Sequence, residues 1–175
     1  EIGTSKGGLT HFLNEVSKEE NLNTKILTFD LYEYPWYNDF INNGIDLRID
    51  DIFYWEDKQV KKYVVDFIRE EGVTLILCDG GDKRLEFEIL SKYLKFGDHI
   101  MAHDYCKNNE IFEQKINGKI WNWCELTYSD IEETCKKNNL VSVDEEIFDE
   151  VVWFCASKGD VTSNHDKQQS EDVEK

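Results

Sequence analysis

Val73-Thr74-Leu75-Ile76-Leu77-Cys78-Asp79-Gly80-Gly81-Asp82 decides how this chain folds. The first six residues are a nearly continuous apolar run, the pattern of a short strand buried on both faces of a parallel sheet. Two glycines and two aspartates end it. Upstream, Val60, Val64, Phe67 and Ile68 fall on one helical face that stops near Gly72. Downstream, Leu85, Ile89, Tyr93 and Leu94 mark another helix, with Gly97 at its end. His99-Ile100-Met101-Ala102-His103 then reads as a second strand, followed by Asp104. Alternating helices and strands imply right-handed crossovers and a mostly parallel sheet with helices on both faces.

The pattern continues outward. Gly3-Thr4-Ser5-Lys6-Gly7-Gly8 is a Gly-rich turn opening a helix with Leu9, Phe12, Leu13 and Val16 on one stripe. Lys25 to Phe29 is a β-favouring run ending at Asp30, and Tyr32 to Gly44 reads as a loop or short helix. Leu47-Arg48-Ile49 alternates in polarity before Asp50-Asp51. Ser129 and Glu132 have capping-box spacing for a helix to about Asn138, and Val151 to Cys155 is the last expected strand. Residues 1–158 form one expected domain. Residues 159–175 are an acidic, polar tail expected to be disordered, with Val161 and Val173 as its apolar side chains. A strand is expected ahead of Glu1 to carry the Gly-rich turn, and the sequence does not contain it.

Composition narrows the function. With 37 acidic and 20 basic residues, the formal charge of −17 repels phosphate backbones and argues against general nucleic-acid binding. A hydrophobic share of 40% excludes disorder of the whole chain. No run of 18 apolar residues exists, so no membrane span is expected. The five cysteines are odd in number and lack a Cys-x-x-Cys pair, which argues against a disulfide framework or structural zinc and for a reducing, cytoplasmic setting. Cys78 and Cys155, inside apolar runs, are expected as small buried hydrophobes.

Ligands of open α/β sheets bind outside the carboxyl ends of the strands. Asp30, Asp50, Asp51, Asp79, Asp82, His103 and Asp104 all stand there in the expected topology. The Gly-rich turn is not a P-loop, because Lys6 precedes the glycines instead of following them. A dinucleotide fingerprint fits in part: Gly3 and Gly8 suit its first and last glycines, but Ser5 fills the middle place. An adenosyl sulfonium compound, which carries positive charge and no phosphate, suits an acidic residue at the turn such as Glu1. Asp30, 22 residues after Gly8, is then placed for the ribose hydroxyls.

Glu1 to Gly8, Ile76 to Asp82 and Leu94 to Asp104 together resemble the blocks of class I S-adenosylmethionine-dependent methyltransferases. The branch they are most similar to holds the macrocin O-methyltransferase and cephalosporin hydroxylase-like proteins. Two departures stand out: Asp82 replaces a usual His, and Gly97-Asp98 replaces Gly-Gly. The resemblance implies a Rossmann-like fold and S-adenosylmethionine held by Glu1, Gly3, Thr4, Ser5, Gly7, Asp30, Asp50, Asp51, Ile52 and Asp79. It further implies an O-methyltransferase for a small hydroxylated acceptor, a sugar or glycosylated metabolite, with His103 and Asp79 catalytic. Asp79, His103 and Asp104 match positions where relatives often hold a divalent ion such as Mg2+, and a His with carboxylates suits manganese or iron equally well. A two-His iron triad for hydroxylation is not supported, since His103 alone is placed for it. Tyr32, Tyr34, Trp36, Tyr37, Tyr54 and Trp55 either pack over the sheet or stack on a ligand, and Trp121 and Trp123 are candidates to close an acceptor pocket. A non-catalytic interaction domain and a nicotinamide-dependent oxidoreductase are the rival readings. The oligomeric state stays open.

Overall fold

A computed structural model describes residues 1–160. The strands are β1 (Leu27–Asp30), β2 (Asp46–Ile49), β3 (Phe53–Tyr54), β4 (Gln59–Val60), β5 (Leu75–Cys78), β6 (His99–Ala102), β7 (Tyr105–Cys106), β8 (Leu126–Thr127), β9 (Leu140–Ser142) and β10 (Phe154–Lys158). The helices are α1 (Gly8–Glu19), α2 (Tyr37–Asn42), α3 (Lys62–Ile68), α4 (Lys83–Leu90), α5 (Asn109–Ile111), α6 (Tyr128–Lys137) and α7 (Glu145–Asp149). A 3-10 turn, Ser91–Tyr93, and a π-helical stretch, Phe112–Ile116, complete them.

Strands β1 and β2 pair in parallel, as do β5 and β6. Ile2 lies between the two pairs and makes parallel bridges to Phe29 and to Cys78. Its N–H donates to the Leu77 carbonyl at 2.8 Å, and its own carbonyl accepts from the Asp79 N–H at 3.0 Å. The chain thus leaves Ile2 toward β1 and β2 on one side and returns to β5 and β6 on the other. A reversal of strand order of this kind opens a crevice at the strand ends. Beyond β6 the expected parallel pairing stops: β10 runs antiparallel to β6, and β9 antiparallel to β10. The architecture is therefore mixed α/β, and the mostly parallel sheet is corrected to a mixed one.

The core explains the order. Phe87, Ile89 and Leu90 on α4 are fully buried with Ile100, Ala102 and Ala156 on β6 and β10. Each large side chain of this kind contributes about 1.5–3 kcal/mol on burial. Cys78 is fully buried and Cys155 nearly so, as their apolar neighbours require.

Four local expectations change. The last strand is Phe154–Lys158, because Val151 and Val152 form a turn: Val152 has φ +56° and the Trp153 N–H reaches back to the Phe148 carbonyl. Val60 belongs to the β3–β4 hairpin, and α3 starts after it. The capping box sits two residues earlier than Ser129–Glu132: Thr127 donates its N–H and its hydroxyl to the Asp130 carboxylate at 2.8 and 2.6 Å. The run before Asp79 is buried on both faces only from Ile76 to Cys78, and Val73 and Leu75 are exposed. The disorder expected of the tail falls, from residue 161 on, outside the described residues. Among the described residues, no helix is long and apolar enough to cross a membrane.

Candidate active site

The Gly-rich turn leaves the sheet at Ile2 and folds back on both strand pairs. Gly3, at φ +88°, donates to the Phe29 carbonyl, and a Cβ there would collide with the Asp79 carbonyl. Gly7, at φ +71°, caps α1 and lies against the Phe40 ring with no room for a side chain. Internal packing is enough to require both glycines. Thr4 is buried, with its hydroxyl 2.6 Å from that of Thr28.

Asp30, the last residue of β1, stands at this turn. One carboxylate oxygen accepts from the Ser5 N–H at 2.7 Å and the Tyr37 hydroxyl at 3.0 Å; the other accepts from the Tyr32 N–H at 3.0 Å. Burial, and then the hydrogen bond to the Asp30 carboxylate, push the Tyr37 phenol well above its ordinary pKa. A carboxylate has about four acceptor sites. Three are filled from within the chain, so two ribose hydroxyls would have to displace at least one of these donors. Glu1 turns toward the packed side instead: one of its oxygens accepts from the Thr28 hydroxyl at 2.7 Å and from the Thr10 hydroxyl.

Asp50, Asp51 and Ile52, implied by the resemblance to hold the cofactor, are engaged or buried as well. Asp50 accepts from Lys61 at 2.5 Å and from the Tyr63 hydroxyl at 2.7 Å, and these bonds hold its carboxyl below the usual range. Asp51 accepts from the Phe53 N–H and the Trp55 indole. Ile52 is 1% exposed and packs in the main core.

Asp79 and His103 come together as the strand pairing dictates. Cys78 of β5 is paired with Ala102 of β6, so the next residue of each strand meets its counterpart. His103 Nδ1 lies 3.1 Å from Asp79 Oδ1. With Asp79 accepting from Nδ1–H, Nε2 is left as the basic nitrogen. The His103 ring lies against Trp153 and Trp121, with centroids 4.6 and 5.4 Å away. Trp123 lies edge-on to Trp121 and is exposed.

Two residues not expected in the site stand here; of Lys83 the sequence shows only a basic pair with Arg84 close to a strand end. Lys83, the first residue of α4, is buried and donates to Asp104 Oδ2 at 2.9 Å, Glu125 Oε2 at 2.9 Å and the Gly80 carbonyl at 3.2 Å. Burial works to lower its pKa, but the bonds to Asp104 and Glu125 outweigh burial and hold it above the ordinary lysine value. Glu86, 1% exposed, accepts from the Gly80 and Asp82 N–H groups, both at 3.2 Å, and so shapes the turn after Asp79. Burial pushes its carboxyl up to about 7. The sequence signal for both was their place in the first turn of the helix after Asp79-Gly80-Gly81-Asp82. Asp82 itself caps that helix, accepting from the Leu85 N–H at 2.9 Å.

Asp79, His103 and Asp104 each offer a ligand atom within 4.8 Å of the others. Magnesium binds carboxylate oxygens at about 2.0–2.1 Å. Asp104 is already spent: Oδ2 holds Lys83, and Oδ1 accepts from the Trp121 indole at 2.5 Å. Lys83 Nζ is also 3.8 Å from Asp79 Oδ1. The donor types suit a divalent ion, but an ammonium already stands beside two of the three ligands, and the group does not fit in this arrangement.

Two hollows lie away from these side chains. One, of about 40 Å³, sits among Ile2, Leu27, Phe29, Leu75 and Leu90; the other, about 470 Å³, is lined by Ile26, Gly44, Arg48 and Tyr63. Asp30, Asp79, His103 and Asp104 stand apart from both, at the strand ends. Comparison with known proteins finds no family model and no curated protein that matches the chain.

Proposed function

We propose that this chain is an S-adenosylmethionine-dependent O-methyltransferase of Rossmann-like fold acting on a small hydroxylated acceptor. The observation that carries the reading is the Asp30 carboxylate bonded at 2.7 Å to the Ser5 N–H of the Gly-rich turn, where strand order reverses. S-adenosylmethionine, when bound, supplies an electrophilic methyl group on a good leaving group. The backbone of Gly3 to Gly7 and the Asp30 carboxylate hold its nucleoside. His103 Nε2 takes the acceptor's hydroxyl proton, and Asp79 fixes the imidazole through Nδ1. A base so placed contributes about 10²–10⁴-fold. Trp121, Trp153 and Trp123 beside His103 offer aromatic faces on which a sugar or other ring can lie. No step needs a metal.

Calorimetry of the full chain with S-adenosylmethionine tests the reading. Binding at about micromolar Kd, weakened at least about tenfold by Asp30→Ala, is the expected result. No binding to the folded wild-type protein rejects it. A second reading, a non-catalytic interaction domain, is favoured by the three filled acceptor sites of Asp30. Cofactor binding with no methyl transfer to any of a panel of hydroxylated metabolites would select it.

A further inference from the structure

We propose that Lys83 is the resident cation of the Asp79–His103–Asp104 cluster, standing where a divalent ion would sit, so that the cluster works metal-free and becomes an ion site when the ammonium is removed. The consequence for methyl transfer rests on the function proposed above; the ion-binding measurement does not.

The geometry is that of a cation site whose cation is covalently attached. An ammonium has three N–H donors. Those of Lys83 are matched by three oxygens at 2.9, 2.9 and 3.2 Å, from Asp104, Glu125 and Gly80. A fourth oxygen, Asp79 Oδ1, is 3.8 Å away, and the same atom lies 3.1 Å from His103 Nδ1. The lysine side chain is 6% exposed, so water is a poor alternative partner and the charge is held in place by its oxygens. An incoming divalent ion bonded to Asp104 would share a carboxylate with this ammonium, and like charges that close in a buried site repel strongly. Asp104 itself is anchored from both oxygens, by Lys83 on one and the Trp121 indole on the other.

The test is a manganese titration of the full chain, read from the electron paramagnetic resonance signal of free Mn2+. Wild-type protein is expected to show no saturable site at this cluster tighter than ~1 mM. Lys83→Met is expected to bind Mn2+ at least about tenfold more tightly. Adding Asp79→Asn to it should abolish the gain, and Lys83→Arg, which keeps the charge, should show none. Near-ultraviolet circular dichroism checks folding, and Lys83→Gln replaces Lys83→Met if the latter fails to fold. Tight wild-type binding that Asp79→Asn removes overturns the proposal, and so does a folded neutral variant without a gain. Gain of Mn2+ affinity without S-adenosylmethionine binding would leave this inference standing and remove the methyltransferase reading; the opposite pair of results would do the reverse.

Discussion

Two carboxylates end neighbouring parts of the same sheet and are satisfied in different ways. Asp30 is held by neutral donors, two N–H groups and a phenol. Asp104 is held by an ammonium and an indole, and is nearly buried. A ligand hydroxyl can replace a neutral donor with little change in charge balance. Replacing the ammonium leaves negative charge in a dry place, which is costly. On charge alone, partners of the first carboxylate can be exchanged at small cost and those of the second cannot. The cofactor proposed for the turn would then meet a fixed frame beside His103.

The difference is easiest to break at Lys83. Lys83→Ala leaves Asp104 and Glu125 without their cation and is expected to lower unfolding free energy by about 3–5 kcal/mol in urea titrations. A loss below about 1 kcal/mol would mean that water reaches Asp104 freely. Gly3→Ala tests where the two regions touch, since its methyl would strike the Asp79 carbonyl at a strained φ. A loss of about 3 kcal/mol is expected in the same titration.

Glu86 sharpens the contrast through pH. Its folded pKa of about 7 lies above the ordinary 4.5, so folding favours the protonated form. Its contribution is full below about pH 4.5 and is lost as pH rises through about 7, a change of up to about 3 kcal/mol. A carbon-13 titration of the Glu86 carboxyl should show a midpoint near 7; a midpoint near 4.5 would mean a hydrated pocket. The smallest effect is at Asp30. Asp30→Asn keeps one acceptor oxygen and is expected to cost about 1 kcal/mol in stability, read from the thermal midpoint. If it costs as much as Lys83→Ala, the two carboxylates do not differ as described.

Much of this was legible in the sequence. The apolar run before Asp79 and the run before His103 gave adjacent parallel strands, and strand pairing then brought those two side chains within 3.1 Å. The spacing from Gly8 to Asp30 placed a carboxylate at the turn. What stayed hidden depended on tertiary partners. Lys83, with Arg84, reads from the sequence only as a basic pair close to a strand end, until Glu125, 42 residues away, and Asp104 close around it. The antiparallel return of β10 has no local signature, since a buried strand reads the same in either direction. Val151-Val152-Trp153 has strand-like composition, but its backbone bonds to Phe148 make it a turn.

Ile2 joins the β1–β2 pair to the β5–β6 pair through single bridges on each side. Around it the Phe29 N–H donates to the Glu1 carbonyl, the Gly3 and Thr4 N–H groups donate to Phe29, and the Asp79 N–H donates to Ile2, so the turn that follows crosses a join held on both flanks. A molecule gripping Asp30 on one flank and Asp79 on the other would bear on both pairs at once. Ligand binding and resistance to unfolding would then rise together with ligand concentration.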